Sequence, residues 1–144
     1  MTIHLDHFLV PTRDRVASAK LLAELFGVAW SESGVGPFSP VYVNDGLTLD
    51  FDQAEGPFPT QHYCFRVDQA TFDAVLSRIQ AAGIAFRSMP HGQDDNMINT
   101  AQGGSIVYWS QPEGHVWELL TVFAFRRWMC RRSSHRTHVG SVPL

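Results

Sequence analysis

The sequence predicts one α+β domain built from two successive βαβββ modules, and three observations carry that expectation. Short apolar segments with β-branched and aromatic residues are punctuated by glycine, proline and Asn-Asp-Gly turns, as strands are. Two stretches instead repeat their apolar residues at helical spacing and close on a glycine. The order then recurs, and even the words after each helix rhyme: Phe-Gly-Val-Ala-Trp at 26–30 against Ala-Gly-Ile-Ala-Phe at 82–86. A repeat of about half the chain means a duplicated fold, because neither half alone buries enough of its sheet face. The expected domain is 1–121, with modules at about 3–55 and 60–121.

Residues 3–10 alternate as a strand closed by Pro11, and Val16, Leu21, Leu22 and Leu25 mark a helix that Gly27 can stop. Residues 41–43 and 47–51 form a hairpin around Asn44-Asp45-Gly46. The second module begins with a strand at 61–67 and a helix carrying Phe72, Val75, Leu76 and Ile79, ending near Gly83. Strands at 104–109 and 115–121 complete it, beyond a loop bearing Gly and Asn.

Composition narrows the function classes. The chain has 144 residues, 44% of them hydrophobic, and no apolar run near the ~20 residues of a membrane span. The first residues lack the basic start and apolar centre of a signal peptide, so a cytoplasmic home is the default expectation. Two cysteines, Cys64 and Cys130, form no disulfide framework. All 14 acidic residues lie in 1–121 with 6 of the 11 Lys and Arg, giving −8 there and +5 in 122–144. So acidic a body is a poor holder of nucleic acid, and the basic tail at 122–144 reads as a flexible extension.

One carboxylate breaks the apolar segment 115–125: Glu118 shares a strand face with Val116 and Leu120. An unpaired carboxylate there is costly, so it reaches water, meets a cation or binds a metal. The repeat supplies partners. His7 and His62 lie in the first strands of the two modules, and Asp50 and Glu118 in the last strands. A lone His7 beside Ile3, Leu5 and Leu9 reads as a core histidine; with His62 and Glu118 in register, the set reads as a metal constellation. His115, after a turn glycine, reads as shaping the start of its strand.

The chain resembles the vicinal oxygen chelate superfamily of glyoxalases, bleomycin-resistance proteins and extradiol dioxygenases. The resemblance rests on Leu5-Asp6-His7, on Gln61-His62-Tyr63-Cys64-Phe65 and on Gln111-Pro112-Glu113-Gly114-His115-Val116-Trp117-Glu118, and covers about 3–121. It implies that the paired modules curl into a half-open barrel. It also implies a divalent metal, zinc, iron, manganese or nickel, held by His7, His62 and Glu118, with Asp50 at the place of a fourth ligand. Two imidazoles and one carboxylate suit that role and leave positions for two substrate oxygens. Asp50, Glu118 and His91 are then the candidates for moving protons, and Tyr63, Asn99, Tyr108 and Trp109 for lining the substrate cavity, with Trp117 nearby.

Three functions follow from that resemblance. The first is a metal-dependent glyoxalase-like lyase or isomerase on a small oxygenated substrate. The alternatives are a bleomycin-resistance-type protein that binds a drug without catalysis, and a non-haem iron dioxygenase. Retention of all three ligands favours an enzyme. The joining segment 52–60, with Gly56, Pro57 and Pro59, is long enough to run extended between subunits. A twofold homodimer is therefore expected, in which His7 and Asp50 of one chain complete a site with His62 and Glu118 of the other.

Overall fold

A computed structural model of the chain describes residues 1–122. The elements run β1 (His7–Thr12), α1 (Arg15–Phe26), β2 (Ser39–Asn44), β3 (Leu47–Gln53), β4 (His62–Arg66), α2 (Gln69–Ala81), β5 (Phe86–Arg87), β6 (Ile106–Ser110) and β7 (Val116–Leu120). Each helix starts on an aspartate. Asp14 accepts the Ala17 N–H at 3.0 Å and Asp68 the Thr71 N–H at 2.8 Å, satisfying donors that have no partner inside the helix. Gly27 ends α1 in the left-handed region at φ 70°, its N–H on the Ala23 carbonyl.

The two sheets are copies of one plan. In the first the order is β1-β3-β2, with β1 and β3 parallel; in the second it is β4-β7-β6-β5, with β4 and β7 parallel. An isolated bridge between Trp30 and Val41 takes the place in the first module that β5 holds in the second. The βαβββ duplication is thus present, with one strand reduced to a single bridge. The two sheets stay open and do not close into a barrel among the described residues.

The first strand differs from expectation at both ends. It begins at His7, not at residue 3, because its partner among the described residues, β3, pairs from Thr48 onward. It also runs through Pro11, which an edge strand tolerates because the missing N–H would face away from the ladder.

Both sheets turn one face to a shared core. Val10, Val41, Leu49 and Phe51 from the first meet Val107, Trp109, Trp117 and Leu119 from the second, over α1 and the Phe72, Val75 and Ile79 face of α2. Burying each large side chain is worth roughly 1.5–3 kcal/mol. Tyr63 crosses the seam, stacked on Phe8 with centroids 5.3 Å apart and tilted against Trp117 at 4.7 Å.

Beside it His115, fully buried, accepts the Gln61 N–H on Nδ1 at 3.0 Å and donates from Nε2 to the Pro11 carbonyl at 2.7 Å. The histidine after the turn is therefore a staple between modules. The joining segment between β3 and β4 is tied down as well: Arg13 donates to the Gly56 carbonyl at 2.8 Å and lies over the Phe58 ring. No helix among the described residues is long and apolar enough to cross a membrane. The basic tail, beyond residue 122, lies outside the described residues.

Candidate metal centre

Strand alternation decides which side chains reach the faces turned away from the core. On β7, Trp117 and Leu119 enter the core, so Glu118 points the other way with Val116 and Leu120. On β4, His62 and Cys64 share that outer face. His62 Nε2 lies 2.8 Å from Glu118 Oε2, with the imidazole partly exposed and the carboxylate nearly buried. Cys64 and Tyr108 stand directly opposite Glu118 on the two neighbouring strands, and the Tyr108 ring meets His62 edge-on, centroids 6.0 Å apart.

The glutamate is therefore neither bare nor matched by a structural arginine; it is half of an imidazole–carboxylate pair. Burial, with the neighbouring Glu118 charge adding, pushes the Cys64 thiol up to about 12. The same causes raise the Tyr108 hydroxyl well above its ordinary value, so both groups stay protonated near neutrality.

The corresponding face of the first sheet carries the other pair. His7 and Asp50 line an open pocket of about 410 Å³ with Asp6, Phe38, Pro40 and Tyr42. His7 Nδ1 lies 2.8 Å from Asp6 Oδ2. That hydrogen bond is the main reason its pKa rises; slight burial opposes it, and the charges of Asp6 and Asp50 add. Leu9, Tyr42 and Val35 leave this face apolar and exposed, at 49%, 42% and 98%.

The expected convergence of His7, His62 and Glu118 in one cavity does not occur within a single chain. Among the described residues no group of three His, Cys, Asp or Glu side chains is placed to hold a metal ion. The physical reason is topological: β1 and β3 belong to one sheet and β4 and β7 to the other, so the two imidazole–carboxylate pairs sit on separate sheets.

Two expected cavity residues are also misplaced. Trp109 is fully buried against Phe26, and Tyr63 lies on the core side, where burial pushes its hydroxyl up to about 12. Trp117, likewise fully buried, joins them. Tyr108 stands directly opposite Glu118. Asn99 is occupied in fastening its loop, donating to the Ser88 carbonyl and accepting the Ala101 N–H. His91 is exposed after β5 and makes no hydrogen bond or ion pair among the described residues.

Sequence reasoning passed over Cys64, although it lies two residues beyond His62 and so had to share its face. It also passed over Asp6 as the partner that orients His7.

The chain matches no family model and no curated protein sequence. Among solved structures it is similar to oxidase ChaP-H2, with 36% identity, 85% of this chain and 96% of that one covered, and a TM-score of 0.80. It is similar also to oxidase ChaP-H1, with 39% identity, 86% and 99% covered, and a TM-score of 0.79. A lactoylglutathione lyase from Agrobacterium tumefaciens shares the fold at 20% identity, with 81% and 92% covered and a TM-score of 0.58.

Proposed function

Because the chain belongs to the vicinal oxygen chelate superfamily, we propose that it is an oxygen-dependent metalloenzyme acting on a small substrate with two neighbouring oxygen atoms. The observation that carries this reading is the His62–Glu118 pair, 2.8 Å apart on the face of the second sheet turned from the core. Imidazole nitrogen and carboxylate oxygen are a fitting donor set for a divalent ion, iron included. The oxidase names of relatives 36% and 39% identical favour oxygen chemistry over the lyase or isomerase reading. The lyase relative, at 20% identity, speaks for the fold alone.

In this reading His62 and Glu118 of one copy and His7 of a second hold the ion, with Asp50 of that second copy beside it. Each chain carries one pair of each kind on different sheets, so a twofold dimer brings unlike pairs together twice. When bound, a divalent iron on two imidazoles and one carboxylate supplies redox chemistry and open positions for substrate oxygens. The chain's own groups do the rest. Asp50, on the pocket face beside His7, accepts a proton from a substrate hydroxyl, and Val35, Phe38 and Pro40 give that side an apolar lining. His91, exposed on its loop, is not assigned a part in the proton transfer.

The test is metal analysis of protein purified without chelator or tag, followed by oxygen-electrode assays with ortho-dihydroxyaromatic and α-hydroxycarbonyl compounds. The expected outcome is one ion per chain, with oxygen uptake lost in His62→Ala and Glu118→Ala. A metal-free protein that binds small aromatic compounds without consuming oxygen would instead establish the drug-binding alternative.

A further inference from the structure

The segment joining β5 to β6 is held in two parts. Its stem is braced on itself: Asp95 accepts the Ser88 and Met97 N–H groups at 3.0 and 2.9 Å, the Asn96 N–H donates to the Phe86 carbonyl at 2.9 Å, and Asn99 donates to the Ser88 carbonyl at 3.3 Å. None of these bonds reaches residues 90–94, an arm that opens with a turn closed by the Gly92 N–H on the Met89 carbonyl. Among the described residues, one side chain ties that arm to the sheet, Arg87. Its guanidinium donates to the Pro90 carbonyl at 3.1 and 3.3 Å, to Asp94 Oδ1 at 3.3 Å, and to Ser110 Oγ on β6 at 3.1 Å.

Register fixes which side of the sheet the arm lies on. Arg87 stands directly opposite Tyr108, and Tyr108 directly opposite Glu118. Directly opposed residues project from the same face, so Arg87 rises on the face that carries His62 and Glu118. Ser110, two residues beyond Tyr108, shares that face, and its bond to the guanidinium keeps Arg87 over the sheet and not off its edge. The Pro90 carbonyl and the Asp94 carboxylate come to that guanidinium, which places the arm on the same face, two strands from Glu118 or about 10 Å at the usual strand spacing. Arg87 is buried, at 7% exposure, with the half-exposed Asp94 as its carboxylate partner. A guanidinium suits the task because its donors lie in one rigid plane and reach several acceptors at once.

We propose that Arg87 is a positioning residue: it holds the Pro90–Asp94 arm as the β5-side wall of the substrate site, and so sets how far a substrate held beside His62 and Glu118 extends across the sheet. A one-ring substrate ends short of a wall two strands away, whereas a longer one meets it. Because the stem keeps its own bonds, loss of Arg87 frees the wall without unfolding the segment. This inference rests on the reading of His62 and Glu118 as metal ligands.

The experiment compares Arg87→Met with wild type in the full chain, with an ortho-dihydroxybenzene and an ortho-dihydroxynaphthalene as probes. Methionine has nearly the reach of arginine and leaves no buried charge. Nuclear magnetic resonance relaxation of the metal-free variant should show residues 91–94 gaining fast backbone motion while 95–99 stay as in wild type, and the loaded variant should hold the same metal content. In oxygen uptake, KM for the two-ring compound should rise about tenfold with kcat within about twofold, the pattern of lost ground-state binding, while both constants for the one-ring compound stay as in wild type. An arm as rigid in the variant as in wild type, an unchanged KM for the two-ring compound, or equal changes for the two compounds would overturn this inference and leave the metal site standing. Wild-type protein that takes up oxygen with neither compound, or metal content indifferent to Glu118→Ala, would overturn the reading and the inference together. Should Arg87→Met not fold, Asp94→Ala frees the far end of the arm at a half-exposed position and is read by the same two measurements, with the same outcomes supporting or overturning the wall.

Discussion

Replacing His115 with leucine removes the staple between the two modules while filling nearly the same volume. The imidazole is fully buried, and its two nitrogens serve two main-chain groups of opposite kind: Nδ1 accepts the Gln61 N–H at 3.0 Å and Nε2 donates to the Pro11 carbonyl at 2.7 Å. Those partners fix the tautomer, with the hydrogen on Nε2. Leucine leaves both main-chain groups unpaired inside the protein, and each costs about 1–3 kcal/mol. The expected loss is therefore about 2–6 kcal/mol, a large share of the roughly 5–15 kcal/mol that holds a domain together. Urea unfolding followed by fluorescence of the buried Trp109 and Trp117 measures it. With a slope of about 2 kcal/mol per molar, the midpoint should fall by about 1–3 M. A loss below about 0.5 kcal/mol, the range of an ordinary surface substitution, would refute the account of how the modules are joined.

Nuclear magnetic resonance titration of His7 should give a pKa above the ordinary 6.5, and Asp6→Asn should bring it down. Because ligation needs the unprotonated ring, acidification should weaken metal binding from a higher pH in wild type than in Asp6→Asn; equal profiles would contradict the role given to Asp6. Asp68 caps α2 and its pKa is lowered, chiefly by the Thr71 hydrogen bond. Its contribution is therefore full above the unfolded value of 3.8 and lost as pH falls through the folded value, so Asp68→Ala should lower the melting temperature at pH 7 but not at pH 2. Gly27→Ala puts a Cβ 2.7 Å from Arg78 Nη1 at a φ of +70°, and should cost about 1–2 kcal/mol in thermal unfolding. In a Cys130→Ser background, Cys64 should resist iodoacetamide at pH 8, because its thiol is pushed up to about 12, and Glu118→Gln should speed the reaction.

The duplication was legible because helix caps, turn residues and apolar period are local: Gly27, Asn44-Asp45-Gly46 and the Phe72–Val75–Ile79 stripe each act within a few residues. The pairing of His62 with Glu118 was legible for the same reason twice over, through equal places in two modules. What the sequence did not give was which strands share a sheet. That information resides in non-local pairing, and it separates His7 from His62 within the chain. The length of β1 was lost similarly, since Ile3 and Leu5 alternate as a strand requires but find no strand to pair with among the described residues. The error over Tyr63, Trp109 and Trp117 was avoidable. Tyr63 adjoins His62 and Trp117 adjoins Glu118, so parity alone sends both to the opposite face, and Trp109 faces Trp117 across the β6–β7 ladder.

The central claim is that one metal site is assembled from His62 and Glu118 of one copy and His7 of another. Mixing His7→Ala with Glu118→Ala protein, each expected to hold no metal alone, and isolating the heterodimer tests it directly. In a heterodimer one of the two sites draws both substituted positions and the other draws neither. The account predicts one bound ion per heterodimer, half the wild-type content, with metal-dependent oxygen uptake restored to about half. A verified heterodimer that binds no metal, beside a wild-type dimer that binds two ions, would contradict it and return the ligands to a single chain.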